Sequence, residues 1–157
     1  MAPPASPPLT RFVFSRHCHP LSAWSRWATT PLLLAPLWTR SGRAALAVGA
    51  WFALNPVMTP PPADDQAFAT RAMLGEERWL TDHSLDPGMG AVNAANSALL
   101  ATAAAGAWWR RPLPAVLGTA GAMALTMYCW SRYAAIEDRA RAADDAGTAA
   151  APPGTAG

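Results

Sequence analysis

The chain has 157 residues, of which 52% are hydrophobic and 14% are charged, and its formal net charge is +2. A soluble domain usually has about a quarter charged residues, so this composition favours a membrane protein. The small net charge and the scattered arginines argue against a nucleic-acid-binding surface.

The first residues are rich in proline and predict a disordered tail over residues 1–18. No continuous apolar core precedes Leu21, so a cleavable signal peptide is not expected. His17, Cys18 and His19 carry metal-ligand chemistry, but they lack the wider gaps of metal-binding motifs and have no evident fourth ligand. We therefore expect no metal and no cofactor.

Four apolar stretches, each close to the thickness of a bilayer core, follow this tail. They cover residues 21–38, 44–58, 91–109 and 113–133. These stretches predict four transmembrane helices. Pro31 and Pro36 lie inside the first, where each removes a backbone hydrogen bond, so a kink is expected. Short arginine-containing turns at 40–43 and 110–112 predict two tight hairpins.

A charged segment separates the second and third stretches, and its apolar residues Phe68, Ala72 and Trp79 recur at helical spacing. We expect an amphipathic helix over residues 64–80 that lies on the membrane or packs against the bundle. The predicted fold is thus all-α, with four transmembrane helices and one interfacial helix in a domain of residues 19–143. The Ala-, Pro- and Gly-rich residues 144–157 predict a disordered tail.

One acidic residue of the interfacial helix, Glu76, falls on its apolar face. A carboxylate on such a face is costly unless it is paired. Arg26 and Arg40, near the two ends of the first stretch, are candidate partners for a buried ion pair. The alternative is that Gly75 breaks the helix and leaves Glu76 solvated.

Tryptophans and small residues indicate how the helices would sit in a membrane. Tryptophan prefers the bilayer interface, so Trp24, Trp27, Trp38 and Trp79 are predicted to be interfacial anchors. Small residues also repeat every four positions on three stretches, a spacing that lets helices approach closely in lipid. These ladders comprise Ala45, Gly49 and Ala53; Ala94, Ala98, Thr102 and Gly106; and Gly118, Ala122 and Thr126.

Several short motifs occur in a fixed order over residues 19–82. They are His19-Pro20, Trp24-Ser25-Arg26, Pro31-Leu32-Leu33, Trp38-Thr39-Arg40, Asn55-Pro56, a proline cluster, Arg71, Leu74-Gly75-Glu76 and Trp79. In these motifs the chain resembles a family of small, uncharacterised prokaryotic multi-pass membrane proteins. The resemblance implies a membrane location and a shared fold, and it carries no activity with it.

The sequence has no catalytic constellation: it lacks a Ser/His/Asp set, a glycine-rich phosphate loop and an HExxH string. We therefore expect no catalytic residues and a non-enzymatic membrane protein that packs with itself or with a membrane-protein partner. A small-solute transporter or channel subunit is the first alternative. A lipid-modifying enzyme using Glu76, Asp82 and His83 at the membrane interface is the second.

The expected location is the cell membrane, with the lipid bilayer as the main partner. An even number of spans places both termini on one side. Arginine counts weakly favour the cytoplasm for that side, with seven arginines against four. The terminal side holds Arg11, Arg16, Arg71, Arg78, Arg132, Arg139 and Arg141, and the hairpin side holds Arg40, Arg43, Arg110 and Arg111.

Overall fold

A computed structural model describes residues 16–150, apart from the side chain of Ala150. The described chain is all-helical, as predicted, and contains no strand. The α-helices are α1 (Pro20–Ala28), α2 (Ala35–Thr39), α3 (Gly42–Met58), α4 (Phe68–Thr81), α5 (Met89–Trp108) and α6 (Pro112–Ala150). Two short 3-10 helices, Thr30–Leu34 and His83–Leu85, join neighbouring elements.

The first apolar stretch folds as three pieces, because its prolines interrupt the helix. The 3-10 helix Thr30–Leu34 separates α1 from α2, and a proline occupies the first turn of each piece. Proline lacks an N–H donor, so it is tolerated where that donor would be unpaired anyway. In place of a simple kink, the structure therefore has the 3-10 helix Thr30–Leu34. The side chain of His19 caps α1 by accepting a hydrogen bond from the Leu21 amide at 3.2 Å.

Helix α3 packs against the first stretch through polar side chains. Asn55 is buried, accepts a hydrogen bond from Ser22 at 2.9 Å and donates one to Ser25 at 2.9 Å. One turn away, the indole of Trp51 donates to the hydroxyl of Thr29 at 2.8 Å. Each group satisfies a partner on the other helix, so these bonds fix the register between α1 and α3.

Helices α5 and α6 form a hairpin whose backbones approach closely at glycines. A Cβ on Gly106 would lie 2.6 Å from the Ala115 nitrogen, and one on Gly118 would lie 2.8 Å from the Ala103 nitrogen. Side chains of ordinary size cannot fit at such separations. The small-residue ladder of α6 and the end of the α5 ladder are therefore used inside the bundle.

Helix α4 begins at Phe68, four residues later than the predicted start at 64. The residues before it form a turn, in which the Asp64 carboxylate accepts from the Gln66 amide at 2.9 Å. Asp65 turns instead toward Arg141 on α6, with 2.9 Å between their charged atoms. Asp64 thus stabilises a turn and Asp65 forms an ion pair. The sequence had predicted the N-terminus of a helix at this position.

Helix α6 has 39 residues, so it is roughly 58 Å long at a rise of about 1.5 Å per residue. It includes residues 144–150, which were expected to be a disordered tail. At the other end of the chain, Cys18 is only 3% exposed and belongs to the core, although it was assigned to the N-terminal tail. Residues 1–15 and 151–157 of the two predicted tails lie outside the described residues.

The two ends of the bundle differ in charge. The arginine end, residues 39–43 and 108–112, carries Arg40, Arg43, Arg110 and Arg111. The acidic end, residues 64–88 and 132–145, carries all ten acidic residues of the chain. At the arginine end, α2 and α5 are each followed by an arginine in the left-handed region, Arg40 with φ 53° and Arg110 with φ 52°.

The bundle buries eight alanines and leaves many of its leucines exposed. None of the leucines among residues 16–150 is buried. Large apolar side chains face outward, including Leu46 at 75% exposure and Leu113 at 67%. In soluble proteins leucine is among the residues most often buried. One helix, Pro112–Ala149, is long and apolar enough to cross a membrane by length and composition.

Candidate functional site

The candidate site is built where α4 crosses α6 at the acidic end. Gly75 sits inside α4 and does not break it. A Cβ at this position would overlap the carbonyl carbon and oxygen of Tyr133, so only glycine permits the observed approach. The close crossing brings the neighbouring Glu76 into the bundle instead of leaving it fully solvated.

Glu76 is half-buried and makes no hydrogen bond or ion pair with another described residue. Burial raises the pKa of its carboxyl, and the positive charge of Arg26 partly opposes that rise. The positive charge of Arg26 therefore attracts the Glu76 carboxylate without direct contact between the two side chains. The direct salt bridge that the sequence suggested is not formed.

Arg26 uses its guanidinium on uncharged groups. Its Nε donates to the Ser22 carbonyl at 3.1 Å, and both terminal nitrogens lie 3.3 Å from Nε2 of His17. Arginine can only donate, so this His17 nitrogen must accept. Burial and the charge of Arg26 lower the His17 pKa to about 4, which keeps the imidazole neutral near pH 7.

Arg40, the other candidate partner of Glu76, lies at the opposite end of the bundle. Its guanidinium donates to the Trp108 carbonyl at 3.3 Å and lies 5.1 Å from the centre of the Trp108 ring. Trp108 adjoins the start of α6, whereas Gly75 meets α6 at Tyr133. Those two points on α6 are about 31 Å apart along the helix, so the Glu76–Arg40 pair was wrong.

The charged residues that do pair across α4 and α6 are others. Glu137 is 4% exposed and accepts from Arg78 at 2.5 Å and from Arg141 at 2.9 Å. Burial of the Glu137 carboxyl opposes ionisation, but these two hydrogen bonds outweigh burial and lower its pKa. Sequence reasoning missed this cluster, although the i,i+4 spacing of Glu137 and Arg141 is visible in the sequence.

Two further ion pairs join this end of the bundle. Arg71 lies 3.2 Å from Asp138, and both side chains are partly exposed. Asp86, in the loop before α5, is buried and lies 2.6 Å from Arg132. The loop is therefore attached to α6 by a charged contact that no local sequence pattern indicated.

The four predicted tryptophan anchors occupy different environments. Trp24 and Trp38 are about two-fifths exposed, at 40% and 39%. Trp27 reaches inward, and its indole donates to the Met123 carbonyl at 3.1 Å. Trp79 is buried at 7% exposure and donates to the Asp86 carbonyl at 2.9 Å, so its N–H is satisfied within the protein and not by an interface.

Polar side chains also bond across α5 and α6. Asn93 donates to the Tyr133 hydroxyl at 2.7 Å, and Asn96 donates to the Thr126 hydroxyl at 3.2 Å. The side-chain oxygen of Asn96 is buried and has no partner in the described structure. These two asparagines therefore help to hold α5 and α6 together.

The histidine and cysteine residues near the start of the described chain have structural roles. His19 caps α1, and Cys18 is buried with its pKa raised to about 11, chiefly by burial. A neutral buried thiol is a poor metal ligand and a poor nucleophile. Among residues 16–150, no group of three His, Cys, Asp or Glu side chains is placed to hold a metal ion.

Residues proposed for an interfacial enzyme lie in different surroundings. Asp82 is exposed, and its carboxylate accepts from the Ser84 amide at 2.9 Å. The ring of His83 packs on Trp79 at 4.3 Å between centroids. Glu76 instead faces Arg26 in the bundle. Asp82 and His83 are therefore exposed and Glu76 is half-buried, and no hydrogen bond within residues 16–150 joins any two of these side chains.

An apolar groove of about 400 Å³ runs along the outside of the bundle toward the arginine end. One wall comes from the broken first stretch, with Pro31, Leu34 and Trp38. The other wall comes from α6 and includes Val116, Ala120 and Met123. The 3-10 helix between α1 and α2 contributes Pro31 and Leu34 to this lining.

Comparison with known proteins adds one result to this geometry. No curated protein and no solved structure matches the chain. One family model, described as a family of unknown function (DUF6653), matches residues 9–153. This match covers most of the sequence, including every helix described above, and the chain therefore belongs to that family of unknown function.

Proposed function

We propose that this protein is an integral membrane protein with four spans, which acts by association with a second copy of itself and not by catalysis. The exposure of the leucines is the observation that carries this proposal. Nine of the fifteen leucines among residues 16–150 are exposed and none is buried, whereas eight alanines are buried. Water would make such a surface unfavourable, and lipid would make it ordinary.

The spans would be the broken first stretch, α3, α5 and the first part of α6. Helix α3 has 17 residues and is about 26 Å long, a little short of the roughly 30 Å bilayer core. In this arrangement α4 lies at the membrane surface at the acidic end. Both termini lie on that side, and the arginine counts favour the cytoplasm.

The surface proposed for self-association is the small-residue face of α3, formed by Ala45, Gly49 and Ala53. All three residues are exposed, and a Cβ on Gly49 would meet nothing within 4 Å. The small residues of the α6 ladder, in contrast, already pack against α5. Two copies of the α3 face are self-complementary about a two-fold axis, which is the commonest symmetry of homodimers.

The alternatives draw less support from the geometry. A solute pathway needs a polar lining, and the groove described above is apolar. A lipid-modifying enzyme needs Glu76, Asp82 and His83 in one cleft, whereas Asp82 and His83 are exposed, Glu76 is half-buried, and no described hydrogen bond joins them. We therefore favour the association protein over both.

Two measurements test the proposal. Alkaline carbonate should leave the full-length chain in the membrane pellet, and its release into the supernatant would disprove the four-span arrangement. Oxidative crosslinking in membranes should join two Gly49→Cys chains. Ala47→Cys, exposed on another side of α3, is the matched control and should stay monomeric. Equal crosslinking of both variants, or of neither, would exclude the α3 interface.

A further inference from the structure

We propose that the apolar groove and the arginine end together bind one acidic phospholipid. The acyl chain would lie in the groove, and the phosphate would lie against arginines of the two hairpins. This inference rests on the proposed membrane insertion and assigns a ligand that self-association does not require.

The groove has the shape and lining for a hydrocarbon chain. Its volume of about 400 Å³ falls in the ordinary range for small-molecule sites. Pro31, Leu34 and Trp38 face Val116, Ala120 and Met123 across it, and Val116 is 63% exposed. The groove is open on the outer surface, so a lipid in the surrounding bilayer could enter it sideways.

The position of the groove links it to positive charge. Trp38, on one wall, lies two residues before Arg40. Pro112, which also lines the groove, directly follows Arg110 and Arg111. The end of the groove at Trp38 and Pro112 is therefore close in sequence to the hairpin arginines, at the level where a headgroup would sit if the chain spans a bilayer.

The acidic residues and the hairpin arginines lie at opposite ends of the bundle, which favours an anionic headgroup at the arginine end. All ten acidic residues of the chain lie at 64–86 and 137–145, so none is close in sequence to either hairpin. At the acidic end, Arg71, Arg78, Arg132 and Arg141 each pair with a carboxylate. No described ion pair involves Arg43, Arg110 or Arg111.

A phosphate complements such arginines well, because the guanidinium presents several N–H donors in a planar array. Arg40 is already engaged with Trp108 and would form the floor of the site. We expect Arg43 and Arg111 to make the main contacts with the headgroup. A zwitterionic phosphatidylcholine would fill the groove equally well but would gain less from the arginines.

Native mass spectrometry on the membrane-extracted full chain tests this site. The protein is equilibrated with mixed micelles that contain phosphatidylglycerol and phosphatidylcholine of the same chain length. We expect one retained lipid, with phosphatidylglycerol preferred. Since a basic side chain near an acidic lipid surface contributes about a fivefold gain in binding, an Arg43→Gln and Arg111→Gln double variant should lose roughly twentyfold of that preference.

Matched variants separate the two halves of the proposal. Arg139→Gln removes an exposed arginine at the acidic end and should leave the preference unchanged. Ala120→Phe fills the groove from an exposed position and should lower retention of both lipids alike. Soluble glycerol phosphate should not displace the lipid, because it lacks the acyl chain.

Each contrary result has a defined meaning. Equal retention of the two lipids by the wild-type protein, an unchanged preference in the arginine double variant, or full retention in Ala120→Phe would overturn the lipid site. Displacement by glycerol phosphate would mean that the arginines bind phosphate alone and that the groove does not contribute to binding. Release of the chain by carbonate would instead overturn the membrane insertion itself, so the two failures are distinguishable.

Discussion

The acidic end and the arginine end of the bundle use their charges in opposite ways. At the acidic end, carboxylates and guanidiniums face each other between α4, α6 and the loop before α5, and Glu137 is shared by two arginines. At the arginine end, Arg40 contacts a tryptophan, and no acidic residue is available to the others. Charge therefore contributes to folding at the acidic end, whereas the arginine end has no carboxylate close in sequence to neutralise it.

The largest expected effect comes from closing the gap that Gly75 leaves. Gly75→Ala places a methyl group on the Tyr133 backbone, so α4 must move away from α6 and disturb the ion pairs of the acidic end. We expect the free energy of unfolding in detergent to fall by about 3 kcal/mol, at the upper end of the usual cost of overpacking.

Gly90→Ala, in the first turn of α5, is the matched control for that change. Its Cβ meets nothing within 4 Å, so stability should be unchanged or should rise by up to ~1 kcal/mol through better helix propensity. Similar losses in the two variants would show that the crossing of α4 and α6 is not the source of the effect.

The second effect concerns the shared carboxylate. Glu137→Gln removes a charge that accepts from Arg78 and Arg141, and we expect a loss of about 2 kcal/mol at pH 7. This is less than for a fully buried pair, because Arg78 is 45% exposed. Asp138→Asn should cost under ~1 kcal/mol, because its pair with Arg71 is more solvated.

The pH dependence of this contribution has a definite sign. The Glu137 pKa is lower in the folded protein than its ordinary value of 4.5, so its stabilisation is complete above that value. It is lost as the pH falls through the lowered pKa. Acid unfolding followed by circular dichroism should therefore show a weaker dependence in Glu137→Gln below pH 4.5.

Glu76 should behave in the opposite sense. Its pKa is raised, so the folded state holds its proton more tightly and stability falls as the pH rises through the raised pKa. Glu76→Gln should remove this fall and should be at least as stable as wild type at pH 7. Glu77→Gln, the adjacent control, should keep the wild-type pH profile. A clear loss of stability in Glu76→Gln would restore the direct ion pair as an explanation.

The smallest expected effect lies at the arginine end. Arg43→Gln and Arg111→Gln should each change the unfolding free energy by less than ~0.5 kcal/mol, because neither arginine has a described ion pair. Thermal unfolding in an uncharged detergent measures this directly. A loss comparable to that in Glu137→Gln would mean that charged residues contribute to folding at both ends of the bundle.

Sequence patterns predicted the structural features that are determined by residues close together in the chain. Apolar runs located the helices, and Pro31 located the break in the first stretch because proline acts on its own backbone. They did not predict the end of α6, where the composition suggested a tail. Yet alanine has the highest helix propensity, and the Ala-rich residues 140–150 continue the helix.

The candidate site was predicted only in part, because its contacts join residues far apart in the chain. Glu76 was placed on an inward face, which helical periodicity can show. Its distance from Arg26, the partners of Glu137 and the burial of Trp79 under Asp86 depend on how α4 crosses α6. That crossing is set by Gly75 against Tyr133, a fit between two backbones that no single helix reveals.

The length of α6 has a consequence for whatever follows it in the chain. In the proposed orientation, roughly 20 of its 39 residues are enough to cross the bilayer core, and the remainder extends about 28 Å beyond it. The first turns of that extension are fastened to α4 through Glu137 and Asp138. In that orientation the described end of α6 lies at a fixed height above the lipid surface, and energy transfer from a fluorophore at Ala149 to labelled lipid would measure this height.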